Sequence, residues 1–124
     1  MPSKILVVED DDTLRYLIAD AMSLLDLEVT CCGTADEAIA LLENASPFAL
    51  VMTDIRMPGH LNGWDLMNLI QLRWPSLPII VSSGHRRVRS SELPPKVVFL
   101  AKPWDLNRLL SAVENALSQQ AKVG

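Results

Sequence analysis

Apolar residues run along this chain in two rhythms. Four runs are continuous: Ile5-Leu6-Val7-Val8, Ala49-Leu50-Val51-Met52, Ile79-Ile80-Val81 and Val97-Val98-Phe99-Leu100-Ala101. Short continuous apolar runs bounded by turn signals read as strands buried on both faces, as in a parallel sheet. A fifth strand is predicted over Glu28 to Cys32, closed by Gly33, with no chemically useful side chain at its end. Between the strands the period changes. Leu14, Leu17, Ile18, Ala21, Met22 and Leu25 recur at helical spacing, predicting a helix from about Asp12 to Leu27. Thr34 and Glu37 have the spacing of a capping box, opening a helix that turns Ala38, Ile39 and Leu42 inward and ends near Asn44. Gly63 begins a third helix, with Leu66, Leu69 and Ile70 inward, that stops before Pro75. Leu106, Leu109, Leu110, Val113 and Leu117 mark a last one, starting near Trp104 or Asp105. The stretch from His85 to Lys96 has almost no apolar face and contains Pro94-Pro95, leaving room for one or two helical turns before Pro94. Strands alternating with helices predict an α/β fold with a doubly wound parallel sheet of five strands and a short or irregular fourth helix.

Length and composition narrow the function classes. At 124 residues the chain is expected to be one domain, 1–124, with a single core. A net charge of −4 and a pI near 5.0 argue against a general binder of nucleic acid or anionic membrane. No apolar run approaches the ~20 residues of a membrane helix. Ile5 to Val8 is too short for a signal peptide, and acid follows it at once. Cys31 and Cys32 are adjacent and face opposite sides of a strand, so no mutual disulfide is expected. Cytoplasm is the expected location, and Gln119 to Gly124 the expected frayed tail.

Chemistry gathers where the strands end. Right-handed crossovers put the C-terminal ends of parallel strands on one edge, the ligand-binding edge of open α/β sheets. That edge receives Glu9-Asp10-Asp11, Asp54, Ser82-Ser83-Gly84 and Lys102-Pro103. Clustered carboxylates repel unless a cation joins them, and oxygen-only ligands favour Mg²⁺ over Zn²⁺. A divalent ion, an ammonium and a hydroxyl around a carboxylate suit a phosphoryl group on that carboxylate. Asp54 would be the nucleophile. Plainer readings exist for each part. An acidic run can simply serve a helix N-terminus, and an Asp before Pro-Gly can be a turn residue. Trp64, Trp74 and Trp104 read as packing residues, Trp104 the most exposed, and Arg86, Arg87 and Arg89 as a solvated face or a docking patch. The register of the signals across four strand ends favours the chemical reading.

The motifs ILVVEDD at Ile5 to Asp11, VMTDIRMPG at Val51 to Gly59, PIIVSSG at Pro78 to Gly84 and FLAKPW at Phe99 to Trp104, in this order and spacing, resemble the receiver domain of two-component response regulators. Such receivers occur alone or within hybrid histidine kinases. The resemblance implies a flavodoxin-like sheet in strand order 2-1-3-4-5 and Asp54 as phosphoacceptor. It implies Mg²⁺, or Mn²⁺ in its place, bound by Asp10 and Asp54, by Glu9 through water, and by the Arg56 main-chain carbonyl. Ser83 and Lys102 would contact the phosphoryl oxygens, with Lys102–Pro103 a cis peptide. Ser83 and Phe99 would move together as a switch, and Arg56 and His85 would flank the path of the hydrolytic water. The phosphoryl donor would be a histidine kinase or a histidine phosphotransfer protein, and the domain would catalyse only its own phosphorylation and slow dephosphorylation. No direct nucleic-acid contact or membrane segment is implied.

Some positions depart from the family pattern. Glu9 stands where Asp is commoner, Ser83 where Thr is, and Phe99 lacks the phenol of the usual Tyr. The interval from Ser83 to Lys102 is short by a few residues, which with Pro94-Pro95 leaves at most a short or irregular fourth helix, so the family's partner and dimer geometry is not carried over. A phosphatase of the haloacid dehalogenase type is one alternative, since Asp10-Asp11-Asp12 offers its D-x-D. Leu14 stands where that family has Thr or Val, however, and no cap domain fits. A flavin carrier of the same topology would need a first loop rich in Ser, Thr and Gly rather than acid. A receiver used only as an interaction module, without phosphorylation, is the remaining alternative.

Overall fold

The computed structural model describes residues 3–44, 47–56, 61–84 and 93–123, with side chains of the last helix described to 118. The continuous apolar runs are strands: β1 Lys4–Val8, β3 Leu50–Asp54, β4 Ile79–Ser83 and β5 Val97–Ala101, joined by β2 Glu28–Cys32. All pair in parallel, in the order β2-β1-β3-β4-β5. Burial follows that order. β3 and β4 are almost wholly buried, and β1 is buried after Lys4, whereas the edge strands expose Cys31 and Val98.

Successive side chains of a strand point to opposite faces, and the helices cover both. On one face Leu6, Val8, Val51, Ile79 and Val81 pack against α2 (Ala35–Asn44) and α3 (Gly63–Arg73) through Ala38, Leu66 and Ile70. On the other, Ile5, Val7, Leu50, Met52 and Ile80 meet α1 (Asp12–Met22) and α4 (Leu106–Val123) through Ile18, Met22, Leu109 and Val113. This is the flavodoxin-like, doubly wound arrangement.

Several helix details differ from expectation. The first helix does not run to Leu27. It is α-helical to Met22, tightens to a 3₁₀ turn over Ser23–Leu25, and stops where Asp26 turns left-handed at φ 55°. A left-handed residue after the last turn ends a helix, and Asp accepts that conformation better than most side chains. Leu17 and Leu106 are half exposed, at 54% and 47%, because they sit at the margins of their apolar stripes. In α3 it is Met67, not Leu69, that joins Leu66 and Ile70 in the core. The Thr34 hydroxyl accepts from the Glu37 N–H at 3.1 Å, but the Glu37 carboxylate accepts from that same hydroxyl at 3.2 Å. A carboxylate satisfied by the hydroxyl replaces the return bond to backbone that defines a full capping box. Trp104 is half-buried, as are Trp64 and Trp74, and packs on the α1–α4 side of the sheet. The expected short fourth helix, with Arg86, Arg87 and Arg89, lies outside the described residues. Cys31 and Cys32 are both free thiols, one exposed and one buried, and burial pushes the Cys32 thiol up to about 12.

Candidate functional site

The site is assembled at the C-terminal ends of β1, β3, β4 and β5. Glu9 is the first residue past β1, and its backbone is held from two sides. Its N–H donates to the Cys32 carbonyl at 3.0 Å, and its carbonyl accepts from Arg15 Nη1 at 3.1 Å. The Glu9 side chain turns into the protein; the residue is 3% exposed. Its Oε1 lies 3.2 Å from Lys102 Nζ, and its Oε2 accepts from the Asp11 N–H at 3.1 Å. Burial raises the Glu9 pKa above the usual carboxylate range; the Asp11 N–H and the Lys102 ammonium pull it back, and the nearby Asp54 charge raises it again. A buried carboxylate is tolerated only with such partners.

Asp54 ends β3. Its Oδ2 lies 3.3 Å from the same Lys102 Nζ, so one ammonium bridges two carboxylates. Two local features hold the Asp54 backbone. The Thr53 hydroxyl donates to the Asp54 carbonyl at 2.9 Å. The first turn of α3 presses directly on it: a Cβ on Gly63 would lie 1.9 Å from the Asp54 carbonyl oxygen, and the Gly63 N–H donates to the Ile55 carbonyl at 2.8 Å. Only glycine permits that approach. Asn62 caps α3, in a reciprocal box with Asp65.

Asp10 is exposed at the mouth of the site. One carboxylate oxygen each from Glu9, Asp10 and Asp54 lies within 4.8 Å of the others. Opposite oxygens around an octahedral Mg²⁺ are about 4.2 Å apart, from bonds of about 2.1 Å. The trio therefore has the donor chemistry and nearly the span for a hard divalent ion with water in its remaining positions. The third acid of the run does something else. The Asp11 side chain caps α1, accepting from the Leu14 N–H at 3.0 Å. The plainer reading of the acidic run, service to a helix N-terminus, thus holds for Asp11.

Ser83 ends β4, is 3% exposed, and sits in register with Ala101 of β5. Its carbonyl accepts from the Lys102 N–H at 3.0 Å, fixing where the lysine leaves the sheet. The Lys102–Pro103 peptide is cis, as expected. The exposed Arg56 and Gly84 help wall a cleft of about 320 Å³ over the carboxylates. Phe99 is half-buried on β5, against the α2–α3 side. His85 lies outside the described residues.

Sequence reasoning missed Arg15, Thr53 and the packing role of Gly63. A glycine opening a helix directly after an Asn cap, nine residues past Asp54, was the available signal for Gly63. Nothing in the periodicity marks Arg15.

A five-stranded sheet wound in this order, with carboxylates and a lysine converging past its strand ends, defines a receiver-type fold. Residues 5–114 match the response regulator receiver domain family, and the chain belongs to it. It is 34% identical to the response regulator protein FleR of Pseudomonas aeruginosa over 96% of this chain and 26% of that protein. It is 32% identical to the DNA-binding transcriptional regulator NtrC of Salmonella typhimurium over 90% of this chain and 24% of that protein. The chain thus spans about a quarter of the length of these relatives. Among solved structures, a CheY-like receiver domain from Methanospirillum hungatei superposes with a TM-score of 0.90 at 26% identity, each chain wholly covered. NtrX from Brucella abortus gives 0.86 at 32% identity over 98% of this chain and 28% of that one. As a receiver domain of response regulators, the chain is a phosphoacceptor signalling domain of two-component systems. The phosphatase and interaction-module readings gain no support from these likenesses.

Proposed function

We propose that Asp54 accepts the phosphoryl group, with Mg²⁺ bound by Asp10 and Asp54, by Glu9 through water, and by the Arg56 carbonyl. The observation that carries this reading is the Lys102 ammonium, 3.3 Å from Asp54 and 3.2 Å from Glu9. It holds a positive charge beside one partly open carboxylate at the sheet edge, next to two further carboxylates. Bound Mg²⁺ would supply charge neutralisation for the transferring phosphoryl oxygens.

The chain's own groups do the rest. An Asp54 oxygen attacks phosphorus, the P–N bond of a phosphohistidine breaks, and the departing imidazole nitrogen takes up a proton from solvent water. Lys102 and the Ser83 hydroxyl stabilise the phosphoryl oxygens, and the cleft walls orient the donor. The donor is a histidine kinase or a histidine phosphotransfer protein acting in the cytoplasm. No helix among the described residues is long and apolar enough to cross a membrane. Phosphorylation draws Ser83 inward, Phe99 takes up the space released, and the two states differ by a few kcal/mol. Arg56 and His85 tune how long the phosphate survives. The domain turns over no substrate besides its own phosphoryl group.

Incubation with phosphoramidate tests this without needing the cognate kinase. Intact mass should show one added phosphoryl group with Mg²⁺ and none after chelation. Asp10→Ala should sharply raise the Mg²⁺ concentration required. Incorporation unaffected by chelator would overturn the metal assignment.

A further inference from the structure

Arg15 touches none of the reacting groups, yet it is tied to the backbone that presents two of the three carboxylates. Its Nη1 donates to the Glu9 carbonyl at 3.1 Å, and its Nη2 pairs with Asp12 in the first turn of α1. The side chain is 27% exposed, so this charge-assisted bond is partly shielded from water. The Glu9 carbonyl belongs to the Glu9–Asp10 peptide, and the orientation of that peptide plane sets where Asp10 points. On the other side the Glu9 N–H is fixed to Cys32, at the end of β2. Gly33 follows Cys32 and closes the frame: a Cβ there would lie 3.2 Å from Arg15 Nη1. The guanidinium therefore lies close against Gly33, between the end of β2 and the start of α1.

We infer that Arg15 is a positioning residue for the metal site, locking the Glu9–Asp10 peptide so that both carboxylates are presented before the ion arrives. The inference rests on the proposed Mg²⁺ site. Its sign separates it from a simple field effect. A guanidinium near a cation site repels the cation, so removing it without other consequence would tighten Mg²⁺ binding. Loss of positioning would weaken binding instead, and partners one shell out from a metal commonly matter 10- to 100-fold. Arginine also does what lysine cannot here, because one planar fork serves the carbonyl and Asp12 together.

The test is Mg²⁺ affinity by titration calorimetry on wild type, Arg15→Ala, Arg15→Lys, Gly33→Ala and the Arg15→Ala/Gly33→Ala pair, each checked as folded by circular dichroism. Arg15→Ala should weaken Mg²⁺ by about tenfold or more, and Arg15→Lys should recover only part of that. Gly33→Ala asks the guanidinium to give by a few tenths of an ångström, so it should weaken binding by less than Arg15→Ala does and should add nothing once Arg15 is alanine. Amide exchange of the ion-free protein gives a second readout: the Asp11 N–H, which donates to Glu9 Oε2, should lose protection in Arg15→Ala while β3 and β4 keep theirs. Unchanged or tighter Mg²⁺ binding in a folded Arg15→Ala would overturn the inference, and so would additive effects in the pair. Absence of Mg²⁺ binding by wild type would instead sink the proposed metal site itself.

Discussion

At the scale of single residues, Glu9 stands out as a carboxyl group that is nearly wholly buried. Its carboxyl is raised chiefly by desolvation, so the folded protein holds that proton more tightly than the unfolded chain does. The group's contribution to stability is then fully present below the unfolded-state pKa, and it is lost as pH rises through the folded-state pKa. Urea titrations in chelator should show stability falling over that window in wild type, with a flatter profile in Glu9→Gln. Identical slopes in the two proteins would count against a buried, ionising Glu9. The role proposed for Arg56 is to lengthen the life of the phosphorylated state. Its side chain is exposed at the cleft wall, where bulk would impede an approaching water. Arg56→Ala should speed loss of phosphate, followed by the decay of phosphorylated mass after desalting. Slower or equal decay would remove Arg56 from that role.

At the scale of elements, the contact of α3 with the end of β3 is the least forgiving join. Gly63→Ala places a methyl group against backbone rather than against a flexible side chain, so either the helix or Asp54 must move. Overpacking of this kind costs about 1–3 kcal/mol. The variant should melt lower and accept phosphate more slowly, and unchanged melting would mean that the helix start has room to slide. The strands were legible because burial on both faces leaves an unbroken apolar run, a pattern that a helix of the same length seldom needs. Helix faces were legible only at their centres. Ile18, Met22, Leu66, Ile70, Leu109 and Val113 are buried as their spacing implies, while Leu17, Leu69 and Leu106 lie at stripe margins, where about 100° per residue separates core from solvent. The end of α1 was hidden because Asp26 adopts a conformation that glycine would have advertised.

At the scale of the whole molecule, topology does most of the work of site building. The chain crosses the sheet so that residues as far apart as Glu9 and Lys102 meet at 3.2 Å, although neither carries a strong signal alone. The convergence of Glu9, Asp10, Asp54, Ser83 and Lys102 on one edge could be read from sequence because each follows or ends a strand, and parallel winding brings all such ends together. The supports around them could not. Arg15, Thr53 and Gly63 act through backbone carbonyls of the site, and hydropathy along a single sequence has no term for a carbonyl partner. The central claim is that this converging edge exists to phosphorylate Asp54. Its most direct measurement is chemical localisation: treat the protein with phosphoramidate and Mg²⁺, reduce the acyl phosphate with borohydride, and sequence the peptides by mass spectrometry. Reduction should convert Asp54, and no other residue, to homoserine, with no conversion in Asp54→Asn. Conversion at Asp10 or Asp11 with Asp54 intact, or labelling that persists undiminished in Asp54→Asn, would contradict it.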